Sequence, residues 1–561
     1  PVVEISKVQF EMASFADLSP VISSTPTSSI AIDGAEIIDW SRRGRFAAVT
    51  GGDEFLRILG FSSDLDSPEV LLNHDLGGDA QSVAVKGRWM AVAVSDDKTE
   101  RGEVQLYRYN KKGRLKLKDT QEVGFLPDSI AWSGNSIVIA NEGEPNDFYG
   151  TEDGVDPIGT VSILGFEDGE VISNDELKFN KSGFTRSVLL ANDVRLHGLS
   201  GSAKRELEPE FVAIDPAGEF AYVTLQENNA IARIDLGAKS IESVTGLGEK
   251  YWNQSGWIVD TSNEDGPDGD ELYNPGVRDF YGFYMPDGMD VFTDGNGDTY
   301  VVMANEGDAR IRPDDVNFEA GSDGTFSFSK NNKGNAIAEV EDGLTGAMLY
   351  VYEGKAGKKR TIFEAEEGDE FFLTMKYGAV ADDDFYADED RADDAADHGF
   401  AGSNDIVSGA GEGRLKLVVD QITSDTITGF GARSFSIRNT AGDLVWDSGD
   451  QLDRIAAMAG TYDDGRSDDK GIEPEHVEIA ELAGRHFAFI TFERSTGGSL
   501  IPVYEITDVT NPQHVHTLLA PDSDEPESSV FVKTSATGGV LMVASEDSGT
   551  VDTFAFGLDM L

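Results

Sequence analysis

The chain has 561 residues, 103 Asp+Glu against 45 Lys+Arg, no cysteine and a formal net charge of −58. That balance excludes a nucleic-acid binder, because phosphate backbones need Lys/Arg partners, and it excludes docking to an anionic membrane surface. The missing cysteines exclude disulfides, thiolate metal sites and cysteine nucleophiles, and no apolar run approaches the ~18 residues of a transmembrane segment. Two roles remain for the acids: a solvated surface suited to a halophilic or marine setting, where salt screens the self-repulsion, or the binding of divalent cations. The chain opens at Pro1 with no charged-then-apolar leader, so it reads as a processed mature form. Export, to the extracellular space, the cell surface or the periplasm, fits the absence of thiols.

In chain order, residues 2–12, "VVEISKVQFEM", read as a strand. From Ala35, "AEIIDWSRRGRFAAVTGGDEFLRILGF" holds three apolar strands separated by a turn and an acidic loop. The same order returns from Ala80, Pro127, Pro209, Pro286, Pro474 and Pro526, and a fourth strand such as "PEVLLNHDL", "RLKLKDT" or "HVHTLLAP" often follows. Four antiparallel strands repeated in this way predict an all-β, seven-bladed β-propeller, a single domain over residues 1–561. The last copy has three strands, and residues 2–12 are expected to supply its fourth and close the ring, which hides both edges. Long loop insertions are expected at about 145–158, 250–282 and 311–471. The last of these includes the acidic stretch 382–399, which reads as a solvated loop.

Two of the copies end a strand on Ala-Asn-Glu-Gly: "IVIANEGE" (137–144) and "VVMANEGDAR" (301–310). In a propeller, the residue entering each first strand and the loop after each second strand share one face. The entry residues are Glu36, Gln81, Asp128, Glu210, Asp287, Glu475 and Glu527. The loops supply Asp53, Asp96, Glu142, Glu227, Glu306, Glu493 and Glu546, with Glu144 and Asp308 beside them. Asp and Asn are ordinary turn formers, but Glu is not, and Glu dominates these loops. Crowded carboxylates repel one another at low dielectric, so the set points to Ca²⁺, or less readily Mg²⁺. Arg310, Arg494, Lys470 and His476 fall at the same rim. Either they neutralise neighbouring acids, or they complete a site for a small anionic ligand bridged by metal. A second candidate metal loop is "SNEDGPDGDE", with Asn263, Asp265, Asp268 and Asp270. No serine-hydrolase elbow, zincin helix or phosphate-cradling loop is present.

The stretches "ANEGEPND…GTVSI", "PEFVAIDPAGEFAYVTLQENNAIARIDL", "YVVMANEGDAR", "GARSFSI…LVWDSGD" and "RSDDKGIEPEHVEI" resemble the motifs of the choice-of-anchor I family, from about residue 30 to 555. The resemblance implies a bacterial exported β-propeller of phytase-like architecture, and some members of that family are labelled alkaline phosphatases. Two functions follow as expectations. One is a metal-dependent phosphoric ester hydrolase acting at the channel mouth. The other is a non-catalytic, calcium-stabilised surface, matrix or assembly protein capable of self-assembly or surface attachment.

Overall fold

The computed structural model describes residues 21–32, 34–110, 114–146, 155–198, 201–264, 273–310, 415–521 and 523–559. Within 311–414 it describes the backbone of short strands and parts of 389–402. The expected strand at 2–12, Asp265, Asp268, Asp270 and most of the acidic stretch 382–399 lie outside the described residues.

Seven four-stranded sheets follow one another along the chain. The first holds Ile37–Ser41, Phe46–Thr50, Phe55–Phe61 and Pro68–Asp75. The second begins at Asp79–Lys86, the third at Pro127–Ser133, the fourth at Val212–Ile214, the fifth at Met289–Thr293, the sixth at Pro474–Leu482 and the seventh at Pro526–Lys533. Every strand pair within these sheets is antiparallel. Each first strand touches the first strand of the next sheet, and that of the seventh touches that of the first.

The second strands explain why the sheets stack face to face. "FAAVT" (46–50) is buried along its whole length. Its Ala47 and Val49 pack with Met542 and Val551 of the seventh sheet, while Phe46 and Ala48 pack with Met90 and Val92 of the second. Successive side chains of a strand point to opposite faces, so a run apolar at every position must be covered on both. All seven junctions carry such a core. Inner-strand side chains also bond across junctions: Asp39 Oδ2 accepts from Val85 N at 2.6 Å, Asp290 Oδ2 from Ile479 N at 3.0 Å and Glu478 Oε1 from Phe531 N at 2.8 Å.

Two expected boundaries change. The strand that completes the seventh sheet is Val21–Ala31, paired with Thr550–Asp559. Its Ser/Thr/Pro-rich sequence reads as a loop, but an outermost strand needs no apolar face and tolerates Pro26 beside a register shift. The long insertion also ends before residue 471. Ser434–Asn439 and Leu444–Asp447 return to become the third and fourth strands of the fifth sheet. What the insertions build includes a separate five-stranded sheet from Glu249–Tyr251, Tyr281–Phe283, Glu389–Arg391, Lys416–Val418 and Thr428–Gly429. Its own core contains Trp252, Phe280, Leu417 and Ile427.

Candidate functional site at the channel mouth

The same turn recurs before five of the seven entry residues of the first strands. Two positions ahead of the entry acid, the backbone is left-handed at Gly34 (φ 83°), Leu126 (43°), Met285 (43°), Glu473 (51°) and Glu525 (51°). A non-glycine residue in that region costs roughly 1–2 kcal/mol, and four of these five sheets bear it. The loop after the second strand locks the turn. Glu142 N donates to Leu126 O at 2.9 Å, Glu493 N to Glu473 O at 2.8 Å and Glu546 N to Glu525 O at 2.7 Å.

The outcome is a layered channel. Glu36, Gln81, Asp128, Glu210, Asp287, Glu475 and Glu527, one from each sheet, line a single cavity of about 100 Å³. Above it opens a mouth of about 400 Å³, whose lining includes Glu306, Asp308, Glu493 and Glu546 together with Lys416, Arg466, Lys470 and Arg494. Below it lies a compartment of about 270 Å³ lined by Ile37, Val83, Trp132 and Phe211, with Ser82 and Ser529. His476 borders the two lower cavities. Its ring meets Phe211 edge-on at 5.5 Å, its Nδ1 lies 3.3 Å from Ser529 Oγ, and burial lowers its pKa to about 4.

Three carboxylate triads occur: Glu142/Glu210/Glu227, of which Glu210 lines the mouth, and Asp287/Glu306/Glu475 and Glu306/Glu473/Glu493, whose members all line it. Within each, one ligand atom per residue lies within 4.8 Å of the others. The walls differ in charge. In the first triad, Glu210 Oε2 and Glu227 Oε2 are buried without a hydrogen-bond partner. In the other two, Lys470 Nζ reaches Glu306 at 2.5 Å, Glu473 at 3.0 Å and Asp308 at 3.8 Å. Arg466 lies 2.7 Å from Glu473, and Arg494 pairs with Glu493 at 2.6 Å and with Glu525. Gln226 Nε2 donates to Glu306 at 2.6 Å.

Crowding shows in the proton affinities. Burial, then the charges of Glu546 and Asp128, pushes Glu36 up to about 8. Burial, then Asp287, pushes Asp128 up to about 7, and burial, then Asp308, pushes Glu227 up to about 8. Burial raises Glu306 to about 7 against the pull of Lys470. Glu142, Glu210, Glu475 and Glu527 are held well above the carboxylate range, by burial first and neighbouring acids second. Glu473 is the exception. Burial opposes it, but Lys470 and then Arg466 draw it down to about 2.

The other residues singled out by sequence fall elsewhere. Arg310 is buried and bound to Glu208 at 2.8 Å and Asp156 at 3.0 Å. Glu144 pairs with Lys98 at 3.4 Å, Asp53 is held by Arg57, and Asp96 is exposed. Asn263 is half-buried. Sequence reasoning missed Glu473, which precedes Pro474 and reads as turn chemistry, and it missed Arg466 and two residues of the five-stranded sheet that line the mouth, Glu389 and Lys416. No sequence signal marks Glu473, because the left-handed position it shares is held elsewhere by Gly34, Leu126, Met285 and Glu525. Glu473→Ala leaves Lys470 and Arg466 without their shared anion. Removing one partner of a buried ion pair costs about 3–5 kcal/mol, so urea unfolding should show a loss of that size, and a loss under about 1 kcal/mol would count against this hub.

A model of the choice-of-anchor I domain matches residues 36–346 and 351–509. The chain belongs to the choice-of-anchor I family. The match runs from the first entry acid into the sixth sheet, so this family's domain takes in six of the seven entry positions. Among curated proteins, the chain is similar to a mesenchyme-specific cell surface glycoprotein of Strongylocentrotus purpuratus, 24% identical over 369 residues. That alignment covers 62% of this chain and 40% of the relative, so the chain spans well under half of that protein. Among solved structures, it resembles the β-propeller domain of Cps50 (Swd1) from Myceliophteria thermophila. Identity is 8%, coverage 95% of this chain and 99% of that one, and the TM-score 0.40. Among the described residues no helix is long and apolar enough to cross a membrane.

Proposed function

We propose that this choice-of-anchor I chain is an extracellular or surface seven-bladed β-propeller, its ring closed by Val21–Ala31, that binds calcium at one mouth of its channel and hydrolyses phosphoric esters there. The observation that carries the reading is a mouth that holds two carboxylate triads and Glu210 of a third opposite a fixed basic wall. Hard oxygen ligands at this density suit Ca²⁺. Bound there, the ion polarises phosphoryl oxygens and lowers the pKa of an attacking water. Glu142, Glu210 and Glu227 hold the cation. Lys470 and Arg494, kept in place by Glu473 and Glu525, face the cavity and neutralise charge on the ester's non-bridging oxygens. The acids between the walls exclude an anion that arrives without cations.

The membership and the cell-surface relative support an exported protein. The same relative supports a second reading, in which the propeller binds calcium without turnover and serves as a surface, matrix or assembly component. Hydrolysis of p-nitrophenyl phosphate separates the two. The hydrolase reading expects turnover in high salt with calcium, at least a hundredfold loss on chelation, and a comparable loss in Glu227→Gln. Calcium binding with no turnover at any pH from 6 to 10 leaves the non-catalytic reading.

A further inference from the structure

Away from the mouth cavity, the helix Gln451–Ala459 meets the segments around Asp260, Tyr273 and Tyr462. Asp453, in the first turn of that helix, is fully buried, and neither of its carboxylate oxygens has a hydrogen-bond partner. The hydroxyls of Tyr273 and Tyr462 are buried and likewise unpartnered. The two rings touch, with centroids 4.5 Å apart. Burial first, and the charge of Asp453 second, raise the pKa of both phenols, which places all three groups within one electrostatic neighbourhood.

A buried carboxylate with neither oxygen bonded is costly and needs an account. The local cations do not supply it. Lys250 donates to Ala432 O at 2.8 Å and Gly449 O at 2.7 Å and pairs with Asp447 at 3.3 Å. Arg433 donates to the carbonyls of Asp260, Ser467 and Asp469, and Arg454 pairs with Asp450 at 2.6 Å. These cations are engaged with other groups, and neither oxygen of Asp453 takes a hydrogen bond from them. An ionised carboxylate only accepts hydrogen bonds, and phenol oxygens carry lone pairs as well. A buried carboxylate and two phenol oxygens, all without hydrogen-bond partners, suit a hard cation better than water alone.

We propose that Asp453, Tyr273 and Tyr462 hold a hard, oxygen-coordinated cation whose shell is completed by water. None of the three lines the mouth cavity, so the site is independent of the proposed hydrolase centre. Its role is to pin two chain segments to one helix. Tyr462 leads directly into residues 463–473, which carry Arg466, Lys470 and Glu473, so the ion stiffens the basic wall from behind.

The test uses the full chain, stripped by chelator and then dialysed against calcium, sodium or potassium alone, with ions per chain counted by elemental analysis. In one of these salts Asp453→Asn should hold one ion fewer than the parent, and Glu227→Gln, altered in the triad that includes Glu210, should keep that ion. Tyr462→Phe retains the carboxylate, so it should fold and bind the same ion several-fold more weakly. Equal ion counts and affinities for parent, Asp453→Asn and Tyr462→Phe in all three salts mean that water fills the cluster, and the proposal is overturned. If Asp453→Asn does not fold, the affinity of Tyr462→Phe decides the matter alone.

Discussion

Deleting residues 1–31 is expected to unfold the protein. Val21–Ala31 runs beside Thr550–Asp559 for ten residue pairs. Thr27 and Ser28 bond Thr553 at 2.7 Å, and Ile22 and Ile30 pack on the cores that flank the seventh sheet. At about 1 kcal/mol net per ladder hydrogen bond, and roughly 1.5 kcal/mol for each isoleucine uncovered, the loss reaches on the order of 10 kcal/mol. That is the size of a whole domain's stability. The deletion also bares a ten-residue edge strand, a template for aggregation. Circular dichroism and sedimentation of the truncated protein decide it. A soluble, cooperatively melting Δ1–31 protein would falsify closure by this strand.

The seven-fold order was legible because each second strand is apolar at successive positions, and such a run needs cover on both faces. "FAAVT", "IVIAN" and "FAYVTL" say this in single-letter code. The entry acids were legible for a related reason: Pro-Asp and Pro-Glu recur at one phase of the repeat. The outermost strand of the seventh sheet was not, since "VISSTPTSSIA" has neither alternation nor an apolar run. An outermost strand draws its stability from backbone ladder bonds, which leave little trace in composition. Glu473 and Arg466 were hidden differently. Their roles arise from a left-handed turn and from pairings between residues close in sequence but folded back on one another, neither of which has a period. Arg310 shows the opposite error. Its place after "ANEGD" put it at the rim by alignment, yet its guanidinium turns inward to Glu208 and Asp156, because two buried carboxylates attract it more strongly than open solvent does.

Chelation is expected to lower the melting temperature, and by more at alkaline pH. Net charge −58 already strains the compact state, and the triads gather part of that charge at one mouth. A ligand that binds only the folded chain adds about 2.7 kcal/mol per site at a hundredfold excess over Kd. Spread over the unfolding entropy of a chain this long, that is about 2 °C for the one cation held by Glu142, Glu210 and Glu227. Without metal, protons take the cation's place. Glu36 and Glu227 titrate near 8, and Asp128 and Glu306 near 7, against about 4 in the unfolded chain. An acid whose folded pKa is raised contributes stability in full below its unfolded value and loses it as pH climbs through the folded one. The metal-free protein should therefore weaken steadily from about pH 5 to pH 9, in 2 M salt as well as in dilute buffer, because these groups are shielded from screening by burial. Calcium should flatten that slope, since it binds the ionised form. Melting curves at pH 5, 7 and 9, with calcium and with EDTA, give the answer: coincident curves at every pH would reduce the ring of acids to solvation alone.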